Sequence, residues 1–333
     1  MMGDNTDAGP NAGPDGVDIT TVSSGQDAGD VGSSLDKASR NAARPVGVEL
    51  ALDGGGAEAA RTTTGPAATL RLPAMQTPTR PIFSSRVIWV LGAVLVLLFA
   101  LTPWPLDAKM RLVGQACCAQ SAPRTLTIGG QLMPLDARDA GIYLSFLVCL
   151  LWTVLVRRSR CALLPPWPLT ALLLGLLGAM VLDGFNSSAQ SHGLHGLYQS
   201  NNVLRVVTGA GAGLALVLLV LPLANQVVRW APEPEAIVDD YLDLAVYVIL
   251  AVVVVAVLLA SRAWLYYPLS VLASVGVVVG WSGPNALVVA VATRREHKVA
   301  TRGDTARLLL AGMVLTLLEM GAIDLVRHGA GGA

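Results

Sequence analysis

After residue 85 the chain passes through about seven long apolar stretches, and nothing else in the sequence restricts its fold as much. A hydrocarbon core about 30 Å thick is crossed by about 20 mostly apolar residues in helical form. Inside a bilayer only helices and closed barrels satisfy every backbone N–H and C=O. The stretches cover residues 86–101, 141–156, 167–182, 203–223, 242–260, 264–293 and 306–326. They predict an all-α, polytopic transmembrane bundle. The sixth is long and carries Gly280, Gly283 and Pro284, so it is either one kinked helix or two half-spans. Composition agrees: 53% of the residues are hydrophobic and 14% are charged, against about 25% charged in a soluble domain.

Residues 1–80 differ in kind. They are rich in Gly, Ala, Asp, Ser, Thr and Pro, nearly free of aromatics, and carry more acids than bases. Such a segment cannot bury enough apolar surface to offset its ordering entropy, and is expected to be a disordered tail. No basic-then-apolar leader is visible in it. Three units follow: the tail at 1–80, a four-span module at 84–225, and three further helices at 240–328. The formal net charge of zero gives no reason to expect a nucleic-acid partner. The bilayer is the expected partner, joined by another membrane protein or a second copy of the chain.

Orientation follows from Lys and Arg near the span ends. The compact clusters Arg157-Arg158-Ser159-Arg160 and Arg294-Arg295-Glu296-His297-Lys298 fall on one side, together with the tail. This predicts a cytoplasmic-membrane protein with its N-terminus in the cytoplasm and its C-terminus outside. Two polar segments then face outward. One is the first external loop, ending in Asp136-Ala137-Arg138-Asp139; the other runs from Asp183 through Asn186 to Ser200-Asn201-Asn202 and Arg205.

The stretch from Gln115 to about Leu223 resembles the integral membrane family known as domain of unknown function 2085. The residues that carry the resemblance are Arg124 in Ala-Pro-Arg-Thr-Leu-Thr-Ile-Gly-Gly, the run from Met133 to Tyr143, Leu182-Asp183-Gly184-Phe185-Asn186, and the run from Ser200 to Gly209. The resemblance implies a small membrane module with a site and no known activity. It also implies Cys where Asp136 and Asp139 stand and Cys-His where Cys117-Cys118 stand, so this chain carries carboxylates in place of thiols.

Three candidate sites follow. Asp136 and Asp139, spaced i, i+3, share a face if the second helix starts early. With His192 and His195, and with Cys117 and Cys118 nearby, they could hold a divalent metal ion. Arg124, Arg138 and Arg205 could clamp an anionic or lipid headgroup, with Asp183, Asn186, Asn201 and Asn202 adding polar contacts. Asn201 and Asn202 are also placed to cap the fourth span. Glu319 lies inside the seventh span, where an ionisable residue marks either a transport pathway or a hydrogen bond to a neighbour such as Asn285 or Ser282. The expected function is a polar ligand or metal site on the outer face. A secondary transporter, a membrane enzyme on a lipid-linked substrate and an assembly subunit are the alternatives. Four cysteines make no disulfide framework, and Cys149 and Cys161 read as packing residues. The run Gly209-Ala210-Gly211-Ala212-Gly213 reads as a helix-packing face rather than a phosphate cradle.

Overall fold

The computed structural model describes residues 101–330 and parts of 89–99; the tail at 1–80 lies outside the described residues, and the first expected span lies only partly within them. Six described helices are long and apolar enough to cross a membrane. A short helix, α1 (Leu106–Cys117), precedes them. The spans are α2 (Ala137–Leu155), α3 (Trp167–Ser191), α4 (Asn202–Val228), α5 (Tyr241–Leu259), α6 (Tyr266–Ala292) and α7 (Arg302–Ala330). The chain is a polytopic helical bundle, with exposed Leu, Val and Phe side chains forming the surface that meets lipid.

Each span exists where the apolar run demands it, but the ends are set by local chemistry. Asn201 Oδ1 accepts from Leu204 N at 2.8 Å and starts α4, and Asp240 Oδ1 does the same for Asp243 N at 2.8 Å in α5. Two boundaries move toward the polar residues. Helix α2 starts at Ala137, which places Arg138 and Asp139 in its first turn. Helix α3 continues to Ser191, so Asp183 lies well inside the helix rather than at its end and Asn186 is helical rather than part of a loop. Helix α6 runs unbroken through Pro284, which removes the half-span alternative.

Helix α4 sits centrally, against α2, α3 and α5, while α6 packs on α7 and α2. Small residues permit the closest approach. A Cβ at Gly209 would lie 2.3 Å from the Arg138 carbonyl oxygen, and one at Gly213 would lie 2.2 Å from that of Ile142. The glycine run is therefore the packing face its spacing predicts.

At one end, here called the Asp183 end, the chain between α1 and α2 is a hairpin rather than an irregular loop. Strand β1 (Thr125–Ile128) pairs antiparallel with β2 (Gln131–Asp136). Gly129 and Gly130, at φ +58° and +85°, make the tight turn that two positive-φ residues allow. Ile128, Met133 and Leu135 are fully buried in a cluster with Val113 and Ala116 of α1 and Ala273 and Val277 of α6. At the opposite end, β3 (Cys161–Leu163) pairs parallel with β4 (Glu233–Ala236), and Val299 N donates to Val228 O at 3.0 Å. Arg158 there pairs with Asp243 at 2.6 Å.

Candidate metal centre and polar network

The hairpin sets the geometry of the Asp183 end. Strand β2 delivers Asp136 to the N-cap of α2, where its Oδ1 accepts from Thr125 Oγ1 at 3.0 Å. Asp139 follows one turn later on the same face. The last turn of α1 brings in Cys118, whose Sγ donates to Gly114 O at 3.3 Å. The result is a cluster in which the ligand atoms of Cys118, Asp136 and Asp139 all lie within 4.8 Å of one another; Cys118 is buried and the two aspartates are half-buried. Contact with Cys118, then burial, then the charges of Asp139 and Asp136 push the Cys117 thiol up. The hydrogen bond from Cys117, against the opposing effect of burial, holds the Cys118 thiol below its usual value, and a lowered thiol is the more readily ionised of such a pair.

The carboxylate pair read from the i, i+3 spacing is thus present, and its third member is a thiol. His192 and His195 fall outside the cluster. His192 Nδ1 lies 2.9 Å from Ser188 O of its own helix, and His195 is exposed in the loop beyond α3. The extension of α3 to Ser191 carries His192 with it, which the loop reading of this segment does not anticipate.

The remaining polar residues tie α2, α3 and α4 together. Asp183 is almost fully buried, at 1% exposure. Its Oδ2 accepts from Arg138 Nη2 and, at 3.4 Å, from Thr208 Oγ1; its Oδ1 accepts from Tyr198 OH at 2.7 Å. Burial, then Asp183 itself, hold the Tyr198 phenol above its usual value, which keeps the donor protonated. Arg205 donates to Asn202 Oδ1 at 2.8 Å and to Ser187 Oγ at 2.9 Å. Arg124 donates to Ser191 Oγ. Asn186 holds the loop before α4, donating to Tyr198 O at 3.0 Å and accepting from Leu197 N at 2.7 Å. Asn201 caps α4, as its position predicts. Each of these clamp residues is thus engaged within the protein, Arg138 with Asp183 and Arg205 with Asn202, the others with serines, Tyr198 and backbone groups. The Nε atoms of Arg138 and Arg205 are buried with no hydrogen-bond partner among the described residues. Glu319 accepts from Asn285 Nδ2 at 2.6 Å, the neighbour named from the sequence, and the same amide donates to Thr316 at 3.0 Å.

Sequence reasoning misses Tyr198 and the hairpin. Tyr198 carries no motif, so only the fold reveals it as a partner of Asp183. The hairpin does carry a signal: Gly129-Gly130 between Thr-Leu-Thr-Ile and Gln-Leu-Met is a two-residue turn flanked by strand-forming runs.

Comparison with known proteins matches this same region. No solved structure is similar. An uncharacterized protein of Methanothermobacter thermautotrophicus is 32% identical over 114 residues, which are 34% of this chain and 91% of that protein. Helices α5, α6 and α7 lie beyond the residues matched by the family profile. Residues 118–219, from Cys118 of the cluster into α4, match the profile of the predicted membrane protein family DUF2085, and the chain belongs to that family.

Proposed function

We propose that this membrane protein holds a divalent transition-metal ion at the Asp183 end of its bundle, liganded by Cys118, Asp136 and Asp139. One observation carries the reading: three ligand atoms from two elements, separated by a hairpin, lie within 4.8 Å of one another. An ion with bonds of about 2.0–2.3 Å bridges such a set with small side-chain movements. One thiolate with two carboxylates is a donor set of mixed softness that suits zinc or another first-row divalent ion better than magnesium or calcium, which take oxygen donors. Three protein ligands leave a coordination position for water or a small substrate, as in metal sites that do chemistry rather than hold a fold together. The family resemblance points to the same place, since three of the four positions where it implies Cys and Cys-His, Cys118, Asp136 and Asp139, are gathered here.

The orientation belongs to the same proposal. The clusters Arg157–Arg160 and Arg294–Lys298 lie at the end opposite the metal cluster, and an excess of Lys and Arg marks the cytoplasmic side. The metal site then opens outward across the cytoplasmic membrane, and the chain ends outside.

The test is metal content. Protein purified in mild detergent and dialysed against zinc, manganese, iron or cobalt should retain about one ion per chain. Cys118→Ser, Asp136→Asn and Asp139→Asn should each lose it, and His192→Ala should not. A wild-type chain that retains no ion above the buffer, or three variants that retain it fully, would overturn the proposal.

A further inference from the structure

A cleft of about 1050 Å³ lies between α2, α4, α6 and α7. Its walls are mostly apolar, with Phe146, Leu150, Val217, Leu221 and Leu308 among them. The carboxyl that lines it, Glu319, is engaged by Asn285. The cleft runs along the spans and reaches Asn225 and Arg229 at the end of α4. There it shares Arg229 and Val299 with a smaller pocket of about 130 Å³, which adds Arg160 and Trp230. A long apolar trough within the membrane thus ends in a cup with two guanidinium groups.

The cup is built. Arg229 is buried, at 8% exposure. Its Nε donates to Asn225 Oδ1 at 2.7 Å, and the Asn225 amide is itself fixed by Ser159 O at 3.0 Å and Cys161 O at 2.8 Å. This clamp uses Nε and leaves both Nη groups without a hydrogen-bond partner among the described residues. Arg160 meets Glu233 only at 3.9 Å, and both side chains are over a third exposed. Burial, then the charge of Arg160, hold the Arg229 guanidinium below its usual value, and Glu233 at the exposed rim offsets part of that repulsion between the two cations. An anion there relieves that repulsion.

We infer that the joined cavity binds one anionic phospholipid, with its phosphate on Arg160 and Arg229 and its acyl chains in the trough. Inside a bilayer, apolar walls alone gain little from one chain over another, since lipid tails are as apolar as leucine. Selection therefore comes from the head. A guanidinium fork matches two phosphate oxygens, and basic pockets between spans near the cytoplasmic face are where anionic headgroups bind. Trp230 beside the cup suits the headgroup level, where indole rings concentrate. A free phosphate would fill the cup and leave the trough unused.

The experiment is a thermal melt and native mass spectrometry of the full chain in detergent. Samples receive phosphatidylglycerol, phosphatidylcholine or inorganic phosphate. Phosphatidylglycerol should raise the melting temperature and appear as a retained one-to-one adduct; the other two should do neither. Arg160→Gln with Arg229→Gln should weaken the adduct by at least about tenfold, and Arg229→Lys should restore part of it. Should the double variant fold poorly, Arg160→Gln alone serves, because Arg160 has no buried hydrogen bond to lose. A third variant, Val220→Trp, at an exposed position that lines the trough, narrows it and should reduce lipid retention with both arginines in place. Equal shifts from both lipids, an adduct indifferent to the arginines, or an equal shift from inorganic phosphate would each overturn the proposal.

Discussion

The α2–α4 contact gives the most quantitative expectation. At Gly213 an added Cβ would sit 2.2 Å from Ile142 O, and at Gly209 another would sit 2.3 Å from Arg138 O. A carbon normally approaches a carbonyl oxygen to about 3.3 Å, so either alanine must push the helices apart by about 1 Å. The obstacle is backbone, not a side chain that can swing away. Overpacking of this kind costs typically 1–3 kcal/mol, and separation also weakens Cα–H···O contacts of about 0.5–1 kcal/mol each. At roughly 2–4 °C per kcal/mol, Gly213→Ala should melt at least about 3 °C lower in detergent. The double change Gly209→Ala, Gly213→Ala should cost less than the two singles combined, because one displacement makes room for both methyl groups. Two controls isolate the cause. Gly178→Ala meets nothing within 4 Å, and Gly211→Ala meets the Leu176 side chain at 3.4 Å, an ordinary contact. Both should melt as the wild type does. If Gly213→Ala also does so, or if Gly211→Ala falls as far, the packing face assigned to this run is wrong.

Other expectations concern the polar groups. Asp183→Ala or Arg138→Ala breaks a pair whose acid is fully buried and should cost about 3–5 kcal/mol, measured as loss of folded protein on denaturant titration. The paired change to Leu at both positions should recover much of that loss. Tyr198→Phe removes a donor to Asp183 and should cost about 1 kcal/mol at neutral pH. Because the folded phenol titrates above its usual value, this contribution is complete below about pH 10 and is lost as pH rises through the folded value; melts of wild type and Tyr198→Phe should therefore converge in strong alkali. Asn225→Ala strands Ser159 O, Cys161 O and Arg229 Nε together and should destabilise by about 1–3 kcal/mol, while leaving metal content unchanged.

The spans were legible because bilayer physics leaves few ways to place an apolar run of that length. The six that are fully described occur where hydropathy places them. Their ends were not legible to the same degree. By polarity Asp183 looks like a helix-end residue and Asn186 like a loop residue, yet both continue α3, since partners on α2 and α4 and in the following loop satisfy them in place. The i, i+3 spacing of Asp136 and Asp139 was readable as a shared face. That Cys118 joins them was not, because it depends on a hairpin returning the chain across the 17 positions between Cys118 and Asp136. The spacing of His192 and His195 carried no such information, because a matching interval on a separate segment says nothing about where that segment points, and the two lie outside the cluster. Arg229 and Asn225 carry no motif, and their pairing appears only once α4 meets the chain after α2.

X-ray absorption of the metal-loaded chain tests the central claim most directly. With zinc, the account predicts one sulfur neighbour at about 2.3 Å and oxygen neighbours at about 2.0–2.2 Å, with the sulfur shell gone in Cys118→Ser. A spectrum with no sulfur shell in the wild type, or one unchanged in Cys118→Ser, would contradict it.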